Sequence, residues 1–266
     1  MRHAVPIQFQ LHCQVVRANP SLERGPPPAS RLARAPASVI IRRAGQAPSR
    51  LRPLSSNVMR RSSLTAVFVL SFGVAAYAVA MYGLGPGVER LHPEMRAAFE
   101  SHSLAINTHI FASVLALLLG PLQFSARLRA TRPVLHRWLG RVYLGVAVAI
   151  GGAAGLYMSQ YAFGGPVAKL GFAGLAVAWL FTGAMAFAAA RNGNFVAHRR
   201  WMIRNFALTF AAVTLRLYLP PVFVFGLPFA ASYAIIAWLC WVPNLLVAEW
   251  LSKTTHNPSL ERTAIG

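Results

Sequence analysis

Four residues stand out for the chemistry they could do in an otherwise apolar chain: His109, His136, His198 and Arg216, with Gln123 as a polar neighbour. Imidazole ligates haem iron, moves protons near neutral pH and pairs with backbone carbonyls. A guanidinium stays charged at any accessible pH and meets carboxylate or phosphate with a planar fork of donors. His136 opens the string His136-Arg137-Trp138-Leu139-Gly140-Arg141, and His198 opens His198-Arg199-Arg200-Trp201-Met202-Ile203-Arg204. Two readings of this pair stand. Trp at headgroup level with Arg reaching phosphate makes an interfacial anchor. Alternatively, the two imidazoles converge at one depth and hold a ligand, with Arg137, Arg199 and Arg200 near the propionates of a b-type haem.

His109 belongs to a polar stripe. His102, His109, Ser113, Gly120 and Gln123 fall on one helical face, because offsets of three, four and seven stay aligned. His109 lies about 10 Å deeper than His102 along such a helix. Asn205, Thr209, Ala212 and Arg216 share another face, with Arg216 about 12 Å below Val224, so His109 and Arg216 lie at similar depth. A guanidinium in an apolar run needs a partner. The candidates are backbone carbonyls released by Pro220 and Pro221, a loop carboxylate such as Glu100, a lipid phosphate, or an anionic ligand.

The elements that carry these residues follow from hydropathy. Of 266 residues 56% are hydrophobic and only 12% charged, about half the charged share of a soluble domain. Six apolar stretches have the length that crosses a bilayer: Leu64–Leu84, Leu104–Phe124, Val142–Phe163, Leu170–Ala190, Met202–Val224 and Ala230–Trp250. The expected fold is all-α, a polytopic bundle of six transmembrane helices. Arginines crowd the loops between spans two and three and between spans four and five. With Arg60, Arg61 and Lys253 they place both termini in the cytoplasm. The same distribution assigns the net charge of +20 to membrane topology and not to nucleic-acid binding. Ala147, Gly151 and Gly155 form a small-residue stripe that suits close helix packing. Since the two His-Arg strings each open a hairpin of spans, spans three–four and five–six read as a tandem repeat.

Composition also excludes functions. All six acidic residues are Glu, so Ser-His-Asp hydrolysis and Asp-rich Mg²⁺ or Ca²⁺ sites are ruled out. Two cysteines, Cys13 and Cys240, build neither a zinc cage nor a disulfide framework. Residues 1–58 hold nine Arg and one Glu among many Pro, Ala and Ser, and read as a disordered basic arm. The hexapeptide at Asn19–Arg24 recurs at Asn257–Arg262, which suggests translated flanking repeats and a start at Met59; a basic targeting arm is the alternative. Truncation to Met59 is expected to leave membrane insertion unchanged. Residues 59–252 form the membrane domain, and 253–266 a disordered tail.

From Thr108 to Pro221 the chain resembles the bacterial predicted-membrane-protein family known as domain of unknown function 2306. The likeness rests on His109, Leu119-Gly120-Pro121-Leu122-Gln123-Phe124, the two His-Arg strings with their preceding residues, and Thr214-Leu215-Arg216-Leu217-Tyr218-Leu219-Pro220. It implies a helical membrane protein and no particular activity. A fainter likeness, of helix-borne His beside Arg, points to cytochrome b561-type and ferric-reductase-type haem proteins. The functional expectation is an inner-membrane, multi-pass redox protein, linked to haem b or a quinone, with His109, His136 and His198 as cofactor ligands. A transporter or binder of a small anion or lipid headgroup, using Arg216 and Gln123, is the second expectation. A non-catalytic component of a membrane complex is the third.

Overall fold

The computed structural model describes residues 54–84, 87–89 and 91–254; the basic arm expected at 1–58 lies outside them except for its last five residues, and the tail except for its first two. Among the described residues every regular element is helical. An apolar run in lipid has no water for its peptide groups, so internal hydrogen bonding is its only solution. Six helices are long and apolar enough to cross a membrane: Thr65–Gly83, Ser103–Gln123, Pro133–Ser159, Gly165–Arg191, Phe195–Val224 and Phe229–Ser252. All six expected spans are present. An even number of crossings returns the chain to the side where span one began.

Spans one, two and four are continuous helices, α1 (Leu54–Val79), α3 (Ser103–Gln123) and α7 (Gly165–Arg191), α1 ending in a wider π turn over Ala80–Leu84. A short helix, α2 (Pro93–Ser101), joins spans one and two with none of its residues buried. Helix α4 (Ala126–Thr131), capped by the Ser125 side chain, turns the chain toward span three. Span three is longer than its hydropathy suggests. It starts with α5 (Pro133–Arg141), widens into a π segment at Val142–Ile150, and ends as α6 (Gly151–Ser159). Both His-Arg strings, read as opening their spans, therefore lie wholly inside them, because the helices begin upstream of the expected Val142 and Met202. His136 and His198 are each the fourth residue of a span.

Spans five and six are each broken near the middle. Helices α8 (Phe195–Thr209) and α9 (Ala211–Val224) meet at Phe210, and α10 (Phe229–Leu239) and α11 (Val242–Thr254) meet at Cys240-Trp241. Neither break contains Gly or Pro. Thr214 Oγ1 turns back onto the carbonyls of Phe210 and Ala211, the kind of local competition that bends helices. Asn244 Nδ2 donates to the Cys240 carbonyl (3.0 Å) and to Thr214 Oγ1 (3.1 Å), which ties the two breaks together.

The centre of the bundle packs Tyr143, Ala147, Val148, Trp179, Met202 and Leu208 against one another, and a second cluster joins Ala75, Ala78, Val114, Leu117 and Val213. Large apolar side chains such as Phe72, Val177, Phe181 and Phe187 remain exposed on the outside of the spans. Such surface is stable only against lipid. The protein is an integral membrane protein.

Candidate functional site

A cavity of about 610 Å³ reaches from α2 to the middle of the bundle. Met95 and Phe99 of α2 line its rim, and Trp179 and Thr209 line its depth. Both His109 and Arg216 face into it. Its walls are otherwise apolar and aromatic, with a run of ring contacts from His92 through Phe163 to Phe229, Phe223 and Tyr233. Among the described residues no Asp or Glu lines it. Its size and walls are those of a small-molecule site.

His109 is fixed by span three. Its Nδ1 donates to the Gly151 carbonyl at 2.8 Å, because a carbonyl can only accept. That bond sets the tautomer and leaves Nε2 as the ring's remaining polar atom. A Cβ at Gly155 would lie 2.8 Å from the imidazole Cε1 and Nδ1, so Gly155 provides the room the ring occupies. Gly151 sits similarly against the Ala112 side chain. The small-residue stripe does pack helices closely, but one end of it is a seat for His109.

Arg216 is half-buried on α9. Its Nη1 donates to the Ala212 carbonyl one turn back (2.9 Å), and its guanidinium lies over the Tyr77 ring at 5.8 Å. The carbonyl partner is thus Ala212, and not one of those released by Pro220 and Pro221. Glu100, the loop carboxylate expected as a candidate, bonds Arg96 on α2 at 2.8 Å instead. Glu249 is bound to Arg204, with Nη2 to Oε2 at 2.9 Å. Among the described residues no carboxylate pairs with Arg216.

The polar stripe of span two is divided among three environments. His102 stacks on Tyr161 at 3.8 Å and meets the Tyr157 hydroxyl at 3.2 Å. His109 and Ser113 face the cavity. Gly120 gives its space to the Phe206 ring, and Gln123 is buried at the opposite, arginine-rich end of the bundle. His136 and His198 are also at that end, so the structure does not bring them together with His109. His198 Nδ1 donates to the Ala186 carbonyl at 2.8 Å. His136 Nδ1 is buried with no partner among the described residues.

Residues 106–252, more than half of the chain, match the family described as Predicted membrane protein (DUF2306). The chain belongs to this family. No curated protein and no solved structure matches it. The DUF2306 segment holds His109, Gln123, His136, His198 and Arg216 and extends past the expected likeness to the end of span six. Span one and α2 precede it, so Tyr77, Tyr82, Met95 and Phe99 close one side of the cavity from outside the family segment.

Sequence reasoning missed the polar knot below the cavity. The Tyr143 hydroxyl donates to Asn205 Oδ1 (2.8 Å) and meets Thr209 Oγ1 (2.8 Å). Asn205 Nδ2 donates to the Trp179 carbonyl (2.8 Å) and Thr182 Oγ1 (2.9 Å), and Trp179 Nε1 to Thr209 Oγ1 (2.9 Å). Asn205 and Thr209 had been visible as a stripe with Arg216. Their partners come from two other spans, which no spacing within span five reveals.

Proposed function

We propose that the protein binds an amphipathic anion, an apolar body carrying one acidic group, in the cavity shared by His109 and Arg216. The observation that carries this reading is a permanent cation facing a largely apolar space whose lining, among the described residues, contains no carboxylate. A charge in that position is costly without an opposite one, and a ligand supplies it. His109 Nε2 offers a lone pair beside it for a proton on the ligand, since Nδ1 already holds the tautomer. Ring stacking along Phe163, Phe229 and Tyr233 suits an apolar body. In this reading the membrane is the cell's inner membrane and the arginine-rich end faces the cytoplasm.

The test compares two probes of equal chain length on the purified full chain in detergent, decanoate and decanol. Decanoate is expected to raise the unfolding temperature more than decanol, and Arg216→Ala to abolish the difference. Equal responses to both probes in the wild type, or a difference retained in Arg216→Ala, would remove Arg216 from the site.

A redox role is a second proposal, and it draws on other atoms. His198 has its Nδ1 held by a carbonyl, as an axial haem ligand does, with Arg199 and Arg200 beside it in sequence. His136 lacks that anchor. A quinone would instead use the aromatic cavity. An absorbance spectrum of the protein purified from haem-supplemented cells decides the haem case: a Soret band lost in His198→Ala supports it, and no band ends it.

A further inference from the structure

The arginine-rich end contains two buried nitrogens that no described residue satisfies. Gln123 is 6% exposed and its Nε2 finds no hydrogen-bond acceptor among the described residues; His136 is partly exposed, but its Nδ1 is buried and likewise unpartnered among them. Buried polar atoms are ordinarily paired, and each exception needs a cause. Several contacts place the two in one neighbourhood. The Gln123 Oε1 lies 3.2 Å from where a Cβ on Gly140 would be, and Gly140 is one turn from His136 on the same face of α5. Arg129 Nη1 donates to the Gln123 backbone carbonyl at 2.9 Å.

We infer that Gln123, His136 and Arg129 form a second binding site, at the end of the bundle opposite the His109–Arg216 cavity, and that it takes a phosphate group. The chemistry of the cluster is donor-heavy. The Gln123 amide brings two N–H groups, the guanidinium brings more, and the His136 imidazole brings one. The carboxylate at this end, Glu249, is bound to Arg204. A tetrahedral oxyanion offers several acceptors to such a set, and charge-assisted bonds to it are the strong kind. Exposed Arg127, Arg137 and Arg141 flank these residues in sequence, as basic groups do at the end of a span that meets anionic headgroups. Gly140 keeps the approach to Gln123 open, since any larger residue would press on its amide oxygen.

The phosphate can come from a lipid headgroup or from a soluble phosphate, and the experiment separates them. Unfolding temperature of the full chain is measured in neutral detergent, then with phosphatidylglycerol, with phosphatidylcholine, or with inorganic phosphate. Wild type is expected to gain most from phosphatidylglycerol, with apparent affinity falling on the order of tenfold in Gln123→Glu, which keeps the side chain's shape and replaces donors by a negative charge. Gln123→Leu, which removes the donors without adding a charge, should lose the same preference, and Arg96→Ala, exposed on α2 at the far end, should respond as wild type. A gain from inorganic phosphate equal to that from the lipid assigns the site to a soluble phosphate. Identical responses in wild type, Gln123→Glu and Gln123→Leu would mean that ordered water fills the cluster, and would overturn the proposal.

Discussion

The middle of the bundle and the cavity above it use polar residues in opposite ways. In the middle, Tyr143, Thr182, Asn205 and Thr209 satisfy one another across three spans. In the cavity, His109 and Arg216 are each held by one backbone carbonyl, which leaves other donor and acceptor atoms uncommitted. The same contrast separates two arginines of span five. Arg204 meets Glu249 and stacks over Trp201 at 4.7 Å, whereas Arg216 has a carbonyl and the face of Tyr77. A fully paired polar group in a membrane bundle holds helices together; one with spare valences in a cavity stabilises little and can recognise a ligand.

That contrast can be broken at four points. Asn205→Leu should have the largest effect, about 3 kcal/mol of lost stability, because it removes at once the bonds of Asn205 to the Tyr143 hydroxyl, the Trp179 carbonyl and Thr182 Oγ1. Denaturant unfolding in detergent reads it, and a near-neutral result would show that the knot is incidental. Gly155→Ala should cost about 1–2 kcal/mol by pressing a methyl into the His109 ring. It should also weaken decanoate binding, so unchanged binding would show that the ring's seat is not specific. Arg204→Ala should cost about 1 kcal/mol, reduced by the partial exposure of Glu249. Arg216→Ala, without ligand, should change stability by less than about 0.5 kcal/mol or raise it slightly. If both arginine variants unfold alike, the distinction between paired and ligand-facing cations fails.

The spans were legible because lipid removes every competing conformation from an apolar run of that length. Loop punctuation served equally well, as at Gly164, whose φ of 93° begins span four from the left-handed region. The breaks at Phe210 and Cys240 were not legible. They arise from Thr and Asn side chains competing with the helical ladder across two spans, which requires knowing that the spans are neighbours. His109 and Arg216 could be matched in depth by counting residues, but the cavity between them depends on α2 and span one, whose sequence carries no motif. Gln123 is expected with Arg216 as a ligand residue, yet the structure places it at the other end of the bundle, as its fourteen-residue separation from His109 along span two requires.

Trp179 has a consequence for measurement. It is the one tryptophan lining the cavity, its indole N–H is engaged by Thr209, and it is nearly sealed from the outside. Trp138, Trp238 and Trp250 instead lie exposed on the bundle's surface. The chain therefore carries its own optical gauge of occupancy. A brominated acyl chain in the surrounding lipid darkens the peripheral indoles first, and a quencher entering the cavity darkens the central one, so the two populations separate by emission wavelength without a label.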